Sequence, residues 1–186
     1  MTEIELIELG DCIRSEQYFI ETYFTTINPF TGIGTVKLED KQIKLLNRIR
    51  GKRCVIERNE ERQIGTTTAL VAHALYLSLF NSNQHIVLMG RNDRHAAAMR
   101  AMFKTAFDNL PNFLKCKPKT DNKYSFELPF TRSWVLFTNS DPQCLRGYMT
   151  TLLIMDDFET YSAKRQKELR NHTVIHCHAT EDILHV

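Results

Sequence analysis

No two of the five cysteines form a C-x-x-C pair. Cys12, Cys54, Cys116, Cys144 and Cys177 are odd in number and scattered. That pattern argues against a disulfide framework and fits a reducing cytosol. No basic-then-apolar leader opens the chain. Glu3, Glu5, Glu8 and Asp11 make the start acidic, unlike a signal peptide. No apolar run nears the roughly 20 residues of a membrane span, so no membrane partner is expected. No internal repeat or low-complexity segment is visible. Nor is one sign of charge in excess. The formal net charge is +2, which leaves nucleic-acid binding to local patches.

What remains is ordinary globular material. The 186 residues are 42% apolar and 25% charged, enough for one domain with a real core. Residues 1–35 read as an N-terminal extension, with an aromatic-rich helix over Glu16 to Thr26 and a turn at Asn28 to Gly32. Residues 36–186 read as the main domain. Ile43, Leu45, Leu46 and Ile49 fall near helical spacing over 40–50, and Gly51 stops that helix. Strands and helices then alternate: strand 53–57, helix 67–80, strand 86–89 and helix 93–109. Two β-runs follow, Tyr124 to Leu128 and Ser133 to Phe137. Strand 151–155, helix 161–170 and a last strand over Thr173 to Cys177 complete the series. Such alternation implies an α/β fold with a mainly parallel central sheet flanked by helices. Ligands of such sheets sit beyond the carboxyl ends of the strands. Gly65 and Asp156 both follow strand ends, so one crevice should hold both.

Arg62-Gln63-Ile64-Gly65-Thr66-Thr67-Thr68 is the most informative stretch. It follows the apolar strand Cys54-Val55-Ile56 and opens a helix with hydroxyls. This is the layout of a phosphate-binding loop at a helix N-terminus. Leu152-Leu153-Ile154-Met155-Asp156-Asp157 is an apolar strand ending in two carboxylates. The first can hold Mg²⁺ and the second can orient an attacking water. Gln42 stands at a helix start ahead of the first core strand, where a primary amide can pair with adenine.

In this order and spacing, the chain resembles the N-terminal ATPase domain of the large terminase subunit, the DNA-packaging motor of tailed bacteriophages. The resemblance runs from about Tyr18 to about Asp182. Gln42 falls on the family's adenine-reading glutamine, Arg62-Gln63-Ile64-Gly65 on its phosphate loop, and Thr67 on its metal-binding hydroxyl. Asn109 to Leu114 with Ser125 to Leu128, then Ser140 and Arg146-Gly147, resemble its intervening segments. Asp156-Asp157 falls on Walker B and His178-Ala179-Thr180 on the coupling motif. The resemblance implies a P-loop NTPase fold of the ASCE type. It implies ATP and Mg²⁺ as cofactors, with Gln42, Gln63, Gly65, Thr66 and Thr67 at the nucleotide, and Thr67 and Asp156 at the metal. Asp157 and Arg62 would be catalytic and Thr180 would couple. Implied partners are terminase subunits, the portal and double-stranded DNA, in the cytoplasm of an infected bacterium.

Five departures weigh on that activity. Thr66 stands where the family has lysine. Glu60 and Glu61 flank the loop, and carboxylates within about 6 Å repel a triphosphate. The second Walker B residue is the shorter Asp157. The segment from Asp157 to Thr180 is short. No carboxylate triad for two-metal DNA cleavage is assignable, so no nuclease is expected. The sequence therefore leaves two readings open: an impaired, ATPase-like regulator or inhibitor of packaging, and a working ATPase module split from its nuclease.

Other features read more plainly. Arg91, Arg94, His95 and Arg100 read as a solvated helix face. Phe126, Phe137, Tyr124 and Trp134 read as sheet packing. His176, Cys177 and His178 on one short strand converge poorly, so zinc is not expected.

Overall fold

The computed structural model describes residues 1–28, 30, 32–56, 65–176 and 183–185. The chain opens with α1 (Glu3–Arg14), α2 (Glu16–Tyr23) and a hairpin of β1 (Thr25–Asn28) and β2 (Gly32–Thr35). Then come α3 (Asp40–Ile49), β3 (Cys54–Ile56), α4 (Thr66–Phe80), β4 (His85–Gly90) and α5 (Asp93–Asp108). After β5 (Thr120–Asp121), β6 (Ser125–Leu128) and β7 (Ser133–Asn139), β8 (Leu152–Met155), α6 (Ala163–His176) and β9 (Ile183–His185) close the series.

The main sheet runs β5-β6-β7-β4-β8-β3-β9. The five strands from β7 to β9 are parallel, while β5 and β6 are an antiparallel flap on the β7 edge. The inner parallel strands β3, β4 and β8 are apolar on both faces, as strands covered on both sides must be. Val55, Ile86, Leu88, Leu152 and Ile154 join one core with residues of α2 to α5. Val87, Met89, Leu153 and Met155 face the other way, toward Phe158, Tyr161 and Leu169 of the segment leading into α6. One face is thus thick with helices and the other carries α6.

α4 is buried around its whole circumference. Ala69 through Leu75 are all buried, which marks a central helix rather than a surface one. The N-terminal helices are built into the same core: Cys12, Phe19, Ile20 and Phe24 have no exposed surface. No helix among the described residues is long and apolar enough to cross a membrane.

Three sequence readings are corrected here. Thr173 to His176 is helical, as the last turn of α6, and the closing strand lies further on at Ile183–His185. Helix propagation from the strong formers of Ala163 to Arg170 outweighs the β-branched run that suggested a strand. Cys177 and His178 lie outside the described residues. The aromatic helix stops at Tyr23, and Thr25 and Thr26 enter the hairpin. Tyr124 is exposed, whereas Phe126 and Phe137 are core.

Candidate functional site

The parallel pairing of β3 with β8 sets Ile56 beside Met155, so the chain leaves both strands at one level. From β8 it enters Asp156 and Asp157. From β3 it returns at Gly65, which caps α4 in the left-handed region (φ 70°). Gly65 is required twice over. A side chain disfavours that φ, and a Cβ there would lie 2.4 Å from Nε2 of Gln42.

Gln42 is buried, and its amide is used at both ends within the chain. Its Oε1 accepts from the Glu39 amide (2.9 Å), completing the cap of α3. Its Nε2 donates to the Gly65 carbonyl (3.1 Å). Gln42 therefore ties α3 to the loop's exit. Reading adenine would leave the amide only its second N–H and its second lone pair, on a side chain that is buried.

Thr66 is buried in the first turn of α4. Thr67, one residue on, donates from Oγ1 to Oδ2 of Asp156 at 2.7 Å. Asp156 has no exposed surface, and its amide extends the sheet by donating to the Met89 carbonyl (2.9 Å). Asp157 turns the chain away from β8 with a left-handed φ of 55°. The expected hydroxyl–carboxylate pair is therefore together, with the second carboxylate beside it.

A third participant comes from β4 and α5. Gly90 lets the start of α5 approach closely, since a Cβ there would meet the Ala96 nitrogen at 3.0 Å and His95 carbons at 3.1 Å. Asn92 caps α5 by accepting from the His95 amide (2.9 Å). The His95 ring then lies between the carboxylates, Nε2 at 3.2 Å from Oδ2 of Asp156 and Nδ1 at 3.6 Å from Oδ2 of Asp157. Arg91 reaches Asp157 at 3.8 Å. The hydrogen bond to Asp156 raises the His95 pKa. Burial works against that rise, the two carboxylate charges add to it, and Arg91 opposes it.

His95 was read from sequence as part of a solvated face, yet its side chain is only 16% exposed. Arg100 is buried too, ion-paired with Asp121 and lying over the Phe126 and Phe137 rings. Arg94 alone of the helix residues in that stripe keeps the solvated position. The strand-end rule that placed Gly65 and Asp156 in one crevice applies equally to the first turn after β4, and would have found His95.

Arg62, Gln63, Glu60, Glu61 and Thr180 lie outside the described residues. The donor types of Thr67 and Asp156, hard oxygens, suit Mg²⁺. The same Asp156 oxygen also faces the His95 ring, so a metal there would have to displace or reorganise that contact. Among the described residues no group of three or more His, Cys, Asp or Glu side chains is arranged to hold a metal. Compared with models of known protein families and with curated proteins, the chain matches none.

Proposed function

We propose that this chain is a terminase-large-subunit-like P-loop domain with impaired hydrolysis. In this reading it acts in or on viral DNA packaging by binding the packaging machinery, as a regulator or inhibitor. The observation that carries the P-loop part is the Thr67–Asp156 contact at 2.7 Å across 89 residues of sequence. It joins a helix-start hydroxyl to a strand-end carboxylate at the carboxyl edge of a parallel sheet, where phosphate-loop proteins hold Mg²⁺. The reading is of a P-loop fold in general. The ASCE subtype sets a further strand between the phosphate-loop strand and the Walker B strand, and the direct pairing of β3 with β8 does not support it.

Three features support impairment. Thr66 is a buried helix residue at the position of the missing lysine. His95 sits on the carboxylate oxygen that a metal would use. Gln42 is held at both ends of its amide. If ATP is taken up, Thr67 and Asp156 would hold Mg²⁺, which supplies neutralisation of the phosphate charge. Asp157 would orient water. The packaging partners (terminase subunits, portal, double-stranded DNA) and the infected-cell cytoplasm rest on the sequence resemblance alone.

The second reading, a working ATPase module separated from its nuclease, is favoured by the same Thr67–Asp156 contact. Calorimetry with a non-hydrolysable ATP analogue and Mg²⁺ separates the two, paired with a turnover assay. The expected result is no turnover in the wild type and gained analogue binding in Thr66→Lys. Robust Mg²⁺-dependent turnover that disappears in Asp156→Ala would sink the impaired reading and establish the active one.

A further inference from the structure

The first helix presents an apolar face that the fold leaves uncovered. Its rotational setting is fixed from inside. Cys12 is buried, Glu8 accepts from the hydroxyls of Tyr18 (2.7 Å) and Tyr23 (2.8 Å), and the Ile13 carbonyl accepts from Tyr76 (3.0 Å). Glu5 closes the capping box on Thr2. The opposite side of α1 carries Glu3, Ile7, Gly10 and Arg14, whose four-three-four spacing sets them in one line. Leu6 and Ile13 flank that line on one side and Ile4 on the other. Ile4, Leu6, Ile7 and Ile13 are each more than half exposed. Four large apolar side chains in the open on one 12-residue helix mark a contact surface.

Charge decides what fits this face. The outward line holds one acid at its amino end, Glu3, and one base at its carboxyl end, Arg14. The other acids of α1 are engaged: Glu5 in the cap, Glu8 by the two tyrosines, and Asp11 by Arg14 at 2.6 Å. Consider a second α1 laid antiparallel and centred between Glu8 and Leu9. Glu3 of each copy then meets Arg14 of the other, and Ile7 of each meets Gly10. A parallel copy would instead set Glu3 against Glu3 and Arg14 against Arg14. The line is therefore its own complement across a two-fold axis, as an isologous interface requires. Space agrees with charge. Among the described residues, the only atoms within 4 Å of a Cβ built on Gly10 belong to the Arg14 guanidinium, the nearer at 3.6 Å. When Arg14 swings out to Glu3 of the second copy, the hollow over Gly10 opens for Ile7.

We propose that α1 is a docking face for a second copy of this chain, packed antiparallel across a two-fold axis. With 12 residues α1 is about 18 Å long, too short to bury alone the roughly 1,000 Å² of a specific interface. The face continues, however, into a cavity of about 430 Å³ that Leu9 and Ile13 line together with Leu79, Phe80, Phe113 and Phe130. Phe130, between β6 and β7, is itself almost fully exposed. The antiparallel arrangement brings Leu6 of the second copy beside Ile13, at the mouth of that cavity. A contact of this size associates in the micromolar range. It shares no residue with the carboxyl-end crevice and does not depend on the function proposed there.

The test is sedimentation equilibrium of the whole protein at low salt, from about 5 to about 300 µM. Wild type is expected to pass from monomer to dimer within that range. Ile7→Asp should weaken the dimer about tenfold or more, because symmetry counts each substitution twice. Glu3→Arg and Arg14→Glu, each alone, should do the same, since each sets like charges against one another at both ends. The side chains of Ile7, Glu3 and Arg14 are exposed, so the thermal melts should stay close to wild type. Glu3→Arg and Arg14→Glu mixed in equal amounts should associate again, because each then supplies the charge that the other lacks. High salt should weaken that rescue. A wild type that stays monomeric throughout would leave this face to a different partner and overturn the proposal. So would a dimer that Ile7→Asp leaves intact, or a mixture that associates no better than either charge variant alone.

Discussion

Single side chains decide the chemistry of the carboxyl-end crevice. Gly65 combines a left-handed φ with a Cβ position already filled by Gln42. Gly65→Ala is therefore expected to lose about 2–4 kcal/mol in urea unfolding, from the left-handed penalty and overpacking together. His95 gives a pH signature. Its pKa is raised in the folded protein, chiefly by Asp156. A raised folded value means the folded state binds the proton more tightly than the unfolded chain does. The resulting stability is complete below the unfolded value of about 6.5 and is lost as pH rises through the folded value. Between pH 5.5 and pH 8.5 the wild type should thus lose more stability than His95→Gln, measured as urea midpoints. Equal losses in the two proteins would show that the ring carries no such linkage.

Elements and their order explain why those side chains meet. β8 is apolar on both faces because each face is covered, so its carboxyl end delivers Asp156 with no exposed surface. α4 starts at the crevice with Thr66 and Thr67 and carries His73 away from it, to pair with Glu16 of α2. α6 seals the second face through Leu169, which has no exposed surface. Leu169→Ala should cost about 2–5 kcal/mol, the usual range for deleting a buried leucine. A loss under about 1 kcal/mol would mean that α6 is not a structural layer. The strand expected over Thr173 to Cys177 failed because β-branched residues favour strands only where a partner strand is in reach. The position beside β3 is taken by β9.

At the scale of the molecule, the N-terminal helices are part of the folding unit. Cys12 and Phe19 share a core with Leu70, Ile86 and Phe137. Burial, then the charges of Glu8 and Asp11, push the Cys12 thiol up to about 12. Under native conditions Cys12 and Cys54 should resist alkylation while the partly exposed Cys144 reacts. Protection of Cys12 should be lost at the same urea concentration as Trp134 fluorescence and far-ultraviolet ellipticity change. An earlier loss of Cys12 protection would show that α1 and α2 open separately from the sheet.

The sequence by itself determined the alternation of elements, the mainly parallel sheet and the placing of Gly65 and Asp156 at its carboxyl edge. Each of these follows from local signals: apolar runs of strand length, helical spacing and a glycine at a helix start. The family resemblance set Thr67 and Asp156 together as metal ligands, and their direct hydrogen bond is a finding of the structure. Only the tertiary structure decided that Gln42 reaches Gly65, that His95 lies between two carboxylates, and that Glu16 and His73 pair as buried side chains. These pairings join residues from separate elements, 57 positions apart for Glu16 and His73. Local propensity carries no signal across such distances. Packing the helices on the sheet is what brings the charges together.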